Sequence, residues 1–166
     1  MKRILLLTAA IAFAMALTGC GAKKASPTVS MFDLSQRMLE AHGGADEMAY
    51  ASSSDSNASE LLSHVSSIDP GKVETFFISY AKDGKGNADE IVVIAVKDAN
   101  DAGKAASTLQ EHVESRIALY GTYDPEQVPM LEAADVFTSG QYAVLIVSKN
   151  ADAVRRAFDE FIGAAR

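Results

Sequence analysis

Two stretches that are apolar on both faces constrain the fold of this chain more than any other feature. Residues 89–97 contain an uninterrupted apolar run over 91–96, and residues 142–148 are apolar from 142 to 147. A strand with two apolar faces has to be covered on both sides, so each run belongs in the middle of a sheet. Each follows a more polar strand candidate, over 73–81 and 135–139, and each precedes a helix candidate.

The order from residue 73 onward is therefore strand, strand, helix, twice. It predicts an α+β domain with a four-stranded antiparallel sheet in the spatial order 1-2-4-3, in which the more polar first and third strands are the edges. This order also lets the long first helix, predicted from Asp98 to Gly121, cross the sheet in the favoured right-handed sense. The final helix is predicted to be capped by Asn150, and both helices are expected to cover one face.

The other face of the sheet then needs a cover. Helices are predicted over 30–42, capped by Ser30, and over 58–66, and they are the simplest cover. A partner or a ligand is the alternative. Residues 51–59 are rich in Ser, Asp and Asn and are predicted to form a loop.

The N-terminal residues have the pattern of a secretory signal peptide. Lys2 and Arg3 precede an apolar run from Ile4 to Leu17, followed by small residues. This run of roughly 14 residues is shorter than the ~17–25 that a membrane-spanning helix needs. It predicts export rather than a transmembrane segment.

The sequence Leu17-Thr18-Gly19-Cys20 resembles the lipobox of bacterial lipoproteins, which implies cleavage before Cys20 and a diacylglyceryl group on its thiol. Cys20 is the only cysteine, which excludes a disulfide framework and a catalytic thiol deeper in the fold. Two acyl chains give stable membrane attachment. The predicted organisation is a signal peptide over 1–19, lipidated cysteine and tether over 20–30, and a single domain over 31–166.

The charge of the chain excludes one class of partner. The net charge is −7, and removal of Lys2 and Arg3 with the signal peptide leaves 13 basic and 22 acidic residues, a net charge of −9. An acidic surface repels phosphate backbones, so no nucleic-acid partner is expected. The membrane is expected as a partner only through the lipid on Cys20.

No motif predicts catalysis, a metal or a cofactor. Gly84-Lys85-Gly86-Asn87 lies between two strand candidates and is interpreted as a hairpin loop, because a phosphate loop needs a helix after it. His42, His64 and His112 lack a paired metal-ligand spacing. The pair Glu111-His112 on the long helix is interpreted as surface polarity.

Arg116 falls near the apolar stripe of the long helix. One interpretation places it at the stripe edge, with its aliphatic stem packed and its head in water. The other is a buried arginine that is paired to an acid or faces an anionic ligand. The sequence leaves both open.

The second half of the chain carries a recognisable series of short motifs. They are Ala88-Asp89-Glu90-Ile91, Arg116, Tyr123-x-Pro125-Glu126-Gln127, and Gly140-x-Tyr142 before an apolar strand. Together with the lipobox, their order and spacing resemble the bacterial domain-of-unknown-function family numbered 4358, over roughly residues 74–162. The resemblance implies a small lipoprotein, mainly of Gram-positive bacteria, and no assigned activity. Its motif positions are the candidate binding residues: Arg116, Tyr123, Pro125, Gln127 and Tyr142.

The expected function is that of a non-catalytic binding or accessory module, anchored on the extracytoplasmic face of the cell membrane of a Gram-positive bacterium. Its partner would be an envelope protein or a small ligand. One alternative is an enzyme with a site near Arg116, Tyr123 and Tyr142. The other is a structural or dimerising spacer that uses the second face of the sheet.

Overall fold

The computed structural model describes residues 29–83 and 86–165. The signal peptide, Cys20 and most of the predicted tether lie outside the described residues. The helices are α1 (Met31–His42), α2 (Ala58–Val65), α3 (Ala102–Tyr123), α4 (Val128–Glu132) and α5 (Ala151–Ala164). The strands are β1 (Met48–Ser52), β2 (Val73–Ala81), β3 (Glu90–Val96), β4 (Asp135–Ser139) and β5 (Tyr142–Val147). No helix in the described ranges is long and apolar enough to cross a membrane.

The sheet is antiparallel with the order β1-β2-β3-β5-β4. The α+β class and the order of the four predicted strands are confirmed, but the prediction of four strands is wrong. β1 pairs with β2, so β2 is not an edge strand, and the loop predicted over 51–59 overlaps the end of β1. β1 is short and its sequence has no clear apolar alternation. The hydrogen bonds to β2, rather than the sequence of β1 itself, therefore account for its strand conformation. The ring of Tyr50 also stacks on Phe77 at 6.2 Å.

β3 confirms that the apolar strands are central, because all seven of its residues are buried. Its side chains alternate between two cores, with Ile91 and Val93 on one face of the sheet and Val92 and Ile94 on the other. The two faces are therefore both closed by helices, as the continuous apolar pattern requires.

The helices are distributed differently from the prediction that both later helices share one face. α3 packs on one face together with α2 and α4, whereas α5 packs on the other face together with α1. α3 has to cross the sheet because it connects β3 to β4, which run parallel on either side of β5. α5 follows β5 and packs on the face of the sheet that α3 leaves uncovered.

The helix ends agree only partly with the predicted signals. Ser30 caps α1 as predicted, accepting a hydrogen bond from the amide of Asp33 at 3.2 Å. Gly121 does not end α3, which continues to Tyr123. Asn150 makes no side-chain cap on α5. Its Nδ2 instead donates to the carbonyl oxygen of His42 at 2.8 Å, joining the start of α5 to the end of α1.

Candidate functional site

A cavity of about 480 Å³ lies between α2 and α3, over the part of the sheet where β2 ends and β3 begins. Its apolar lining comes from β1, α2 and β2, and includes Ala51, Leu61, Val65 and Ile78. The two tyrosines among its lining residues are Tyr80 on β2 and Tyr120 on α3. Polar groups converge at the side formed by α3 and the start of β3.

The centre of that polar side is Glu90, the first residue of β3, whose side chain is only 7% exposed. Its Oε2 accepts a hydrogen bond from Nη1 of Arg116 at 2.9 Å and lies 2.8 Å from Nε2 of His112. His112 and Arg116 are four residues apart, so both point from one face of α3 towards the strand. Arg116 is therefore a largely buried arginine paired to an acid, and the stripe-edge interpretation is wrong.

The interpretation of Glu111-His112 as surface polarity holds for Glu111, which is exposed, and is wrong for His112. The four-residue spacing of His112 and Arg116 was the one feature of the sequence that indicated that the two side chains share a face of the helix. The sequence could not show that Glu90, on a strand 22 residues before His112, would lie opposite that spacing.

Two motif residues hold the backbone just before β3. Nη2 of Arg116 donates to the carbonyl oxygen of Ala88 at 3.0 Å, and Oε1 of Gln127 accepts from the amide of Ala88 at 3.1 Å. The hydroxyl of Tyr120 donates to the neighbouring carbonyl of Asn87 at 3.3 Å. These bonds place Glu90 at the wall of the cavity.

We expect Gln127→Ala to lower the free energy of unfolding by about 1 kcal/mol, because the amide of Ala88 loses its acceptor. Urea denaturation of the two proteins measures this loss. Gln127→Glu keeps an acceptor oxygen and is the control. An equal loss in both variants would show that the bond to Ala88 is not what Gln127 contributes.

The other motif residues do not gather around the cavity. Tyr123 is 52% exposed, and its ring lies 4.8 Å from that of Tyr120. Hydrogen bonding to Tyr120, reinforced by desolvation, raises the pKa of Tyr123 to about 12, so its phenol stays protonated at neutral pH. Pro125 begins the short turn that leads into α4.

Tyr142 lies on the opposite face of the sheet, where its ring packs at 6.0 Å against Phe158 of α5. The cavity next to Arg116 is on the α3 face. The site around Arg116, Tyr123 and Tyr142 that the enzyme alternative required is therefore not formed.

A second buried polar cluster joins the end of α1 to the sheet. Nδ1 of His42 lies 2.9 Å from Oγ of Ser148, and its Nε2 lies 3.7 Å from Oδ2 of Asp89. These residue types are those of a serine hydrolase, but a nucleophile has to reach a substrate. Ser148 is only 8% exposed, and its Oγ also accepts from the amide of Asn150. The cluster links three elements of the fold. In the described ranges, no three His, Cys, Asp or Glu side chains are grouped so that they could hold a metal ion.

The fold and the cavity define a small α+β domain with a five-stranded antiparallel sheet, helices on both faces and an open cavity between two of them. The chain belongs to the family described as Domain of unknown function (DUF4358), whose model matches residues 52–148. The resemblance inferred from the motifs is thus confirmed. The matched stretch begins and ends earlier than the 74–162 that the motifs indicated. It contains every residue of the cavity lining except Ala51. No curated protein and no solved structure matches the chain.

Proposed function

We propose that this protein is a lipid-anchored binding module of the cell envelope that takes a small ligand in the cavity between α2 and α3 without transforming it. The observation that carries this proposal is the cavity itself. Its volume of about 480 Å³ lies inside the range of roughly 300–1,000 Å³ that is usual for small-molecule sites. It also combines apolar walls with a few convergent polar groups, as such sites do.

The bonding of the polar groups supports binding over catalysis. Oε2 of Glu90 is already engaged by Arg116 and His112, so this oxygen is not held free to take a proton from a substrate.

The proposed location rests on the N-terminal sequence. Lipid on Cys20 would hold the chain at the extracytoplasmic face of the cell membrane, and the family resemblance supports a Gram-positive bacterium as the host. α1 begins at Met31, so the domain would follow the anchored cysteine after only a short segment of chain.

We expect Cys20→Ala to abolish lipidation, because the acyl group is carried by the thiol. In cells fed a labelled fatty acid, the wild-type chain should become labelled and the variant should not. Mass spectrometry should show that the variant retains residues 1–19. Ser26→Ala, a change in the tether, is the control and should label normally. Label on the Cys20→Ala chain would contradict the proposed anchor.

We expect Leu61→Trp to abolish ligand binding, because Leu61 lines the cavity and a larger ring there would fill it. The mature chain, residues 20–166 with Cys20→Ala, would be screened against a small-molecule library by thermal shift, with and without Leu61→Trp. Phe32→Trp places the same ring on an exposed position of α1, across the sheet, and is the control. Compounds that stabilise the Leu61→Trp chain as much as the control chain do not bind in the cavity.

An envelope protein is the second candidate ligand. Leu119 and Tyr123 are 58% and 52% exposed and lie four residues apart on α3, so they form one apolar strip beside Tyr120. Exposed apolar groups that lie together are typical of contact surfaces. Crosslinking of the full-length lipoprotein in cells tests this candidate. A recurrent partner that is lost with Leu119→Ser would support it, whereas a partner retained by that variant would place the contact elsewhere.

A further inference from the structure

We propose that the ligand of the cavity has a carboxylate head on an apolar body. This inference rests on the proposed function of small-ligand binding and adds the chemistry of the ligand. The unused hydrogen-bond donors of the polar lining, the pairing of the acids beside it and the apolar walls support this inference.

The basic groups of the lining are rich in hydrogen-bond donors. Arg116 has five N–H groups and no acceptor. One bond from Nη1 goes to Glu90 and one from Nη2 goes to Ala88, which accounts for two of the five. His64 on α2 and His112 on α3 add imidazole nitrogens from opposite walls. A ligand that supplies acceptor oxygens complements this set.

One oxygen of each carboxylate beside the cavity is already directed at a protein base. Oε2 of Glu90 receives both Arg116 and His112. Asp89 also borders the cavity, but its Oδ2 lies 3.7 Å from His42 on the other face of the sheet. A cationic ligand would therefore compete with these bases for the carboxylates, whereas a carboxylate ligand could accept from the N–H groups of Arg116 that are not used within the protein.

The acidity of the whole chain does not determine whether the cavity binds an anion or a cation. Charges in water are screened beyond about 8 Å at physiological ionic strength. Beside the cavity the charges of Glu90 and Arg116 compensate one another, and Asp89, the other acid of the lining, has its Oδ2 directed at His42 on the other face of the sheet. An anionic head would therefore meet the N–H groups of Arg116 that are not used within the protein, although the net charge of the mature chain is −9.

The apolar walls specify the rest of the ligand. Leu61, Val65 and Ile78 face the cavity together with the ring of Tyr80. Each methylene of a ligand that is buried against such walls should tighten binding by up to about fourfold. A short aryl-alkyl or alkyl chain fits these walls, and its carboxylate would lie towards Arg116.

The test compares three compounds that differ only in their head group: 4-phenylbutanoate, 4-phenylbutylamine and 4-phenylbutanol. Their dissociation constants for the mature chain with Cys20→Ala would be measured by calorimetry. We expect the acid to bind at least tenfold more tightly than the amine or the alcohol. We expect His64→Gln, a change at an exposed position, to weaken the acid about three- to tenfold and to weaken the alcohol clearly less.

The outcomes separate this inference from the function on which it rests. Equal or tighter binding of the amine or the alcohol would overturn the carboxylate assignment. The assignment would also be overturned if other compounds of the library bound the wild-type chain and not the Leu61→Trp chain, while the acid did not bind at all. If no compound distinguishes the wild-type chain from the Leu61→Trp chain, the proposed function itself fails.

Discussion

Glu90→Ala is expected to lower the free energy of unfolding by about 3–5 kcal/mol. The variant leaves the guanidinium of Arg116 largely buried without its anion, and removing one partner of a buried ion pair is strongly destabilising for that reason. His112 loses its hydrogen-bond partner in the same change. Urea denaturation of the two chains measures the difference.

Two further variants make this result specific. Glu111→Ala removes an exposed acid from α3 and should change stability by no more than about 0.5 kcal/mol. Glu90→Leu combined with Arg116→Met replaces both charges and should recover most of the loss, since no charge is left unpaired. A loss in Glu90→Ala no larger than in Glu111→Ala would contradict the buried pair.

Phe158→Ala is expected to cost a similar amount, about 3–5 kcal/mol, because it opens a cavity in the core between α5 and the sheet. Phe158 is fully buried, and its ring meets those of Phe137 and Tyr142 edge to face at 5.3 and 6.0 Å. Phe161→Ala, on the same helix but only partly buried, should cost clearly less. Equal losses in the two variants would show that α5 does not dock through Phe158.

The strands β2 to β5 could be predicted because the apolar pattern within each one reports how it is buried. β3 and β5 show this best, since a run that is apolar on both faces admits only a central position. β1 could not be found in this way. Its five residues, from Met48 to Ser52, carry only a mixed pattern, and the strand exists because β2 presents an edge with which it can pair.

The side of the sheet that each helix covers is a property of the whole topology. The apolar stripe of α5 could be predicted from Val154, Phe158 and Ile162, but the stripe does not determine the face of the sheet on which the helix packs. α3 is held by the two strands that it connects, whereas α5 takes the face that α3 leaves open. That arrangement covers the second face with α1 and α5, which removes the surface that the spacer alternative would use.

The candidate site could be predicted only in part. Arg116 stood out because it lies near an apolar stripe, but its partner Glu90 is 26 residues away and is brought to it by the packing of α3 on β3. Gln127 was recognised through the family motif, and its bond to Ala88 emerges only from the fold. Tyr142 was grouped with Arg116 by motif order. The alternation of β5, which turns Ala143 towards α3, turns Tyr142 away from it.

The measurement that tests the central claim most directly is an amide chemical-shift titration of the mature, unlipidated chain with a compound that stabilises it. If the cavity is the binding site, the shifts should concentrate on Leu61, Ile78, His112 and Tyr120 and should vanish in Leu61→Trp. Shifts confined to α1 and α5, or unchanged in the Leu61→Trp chain, would contradict a ligand site between α2 and α3.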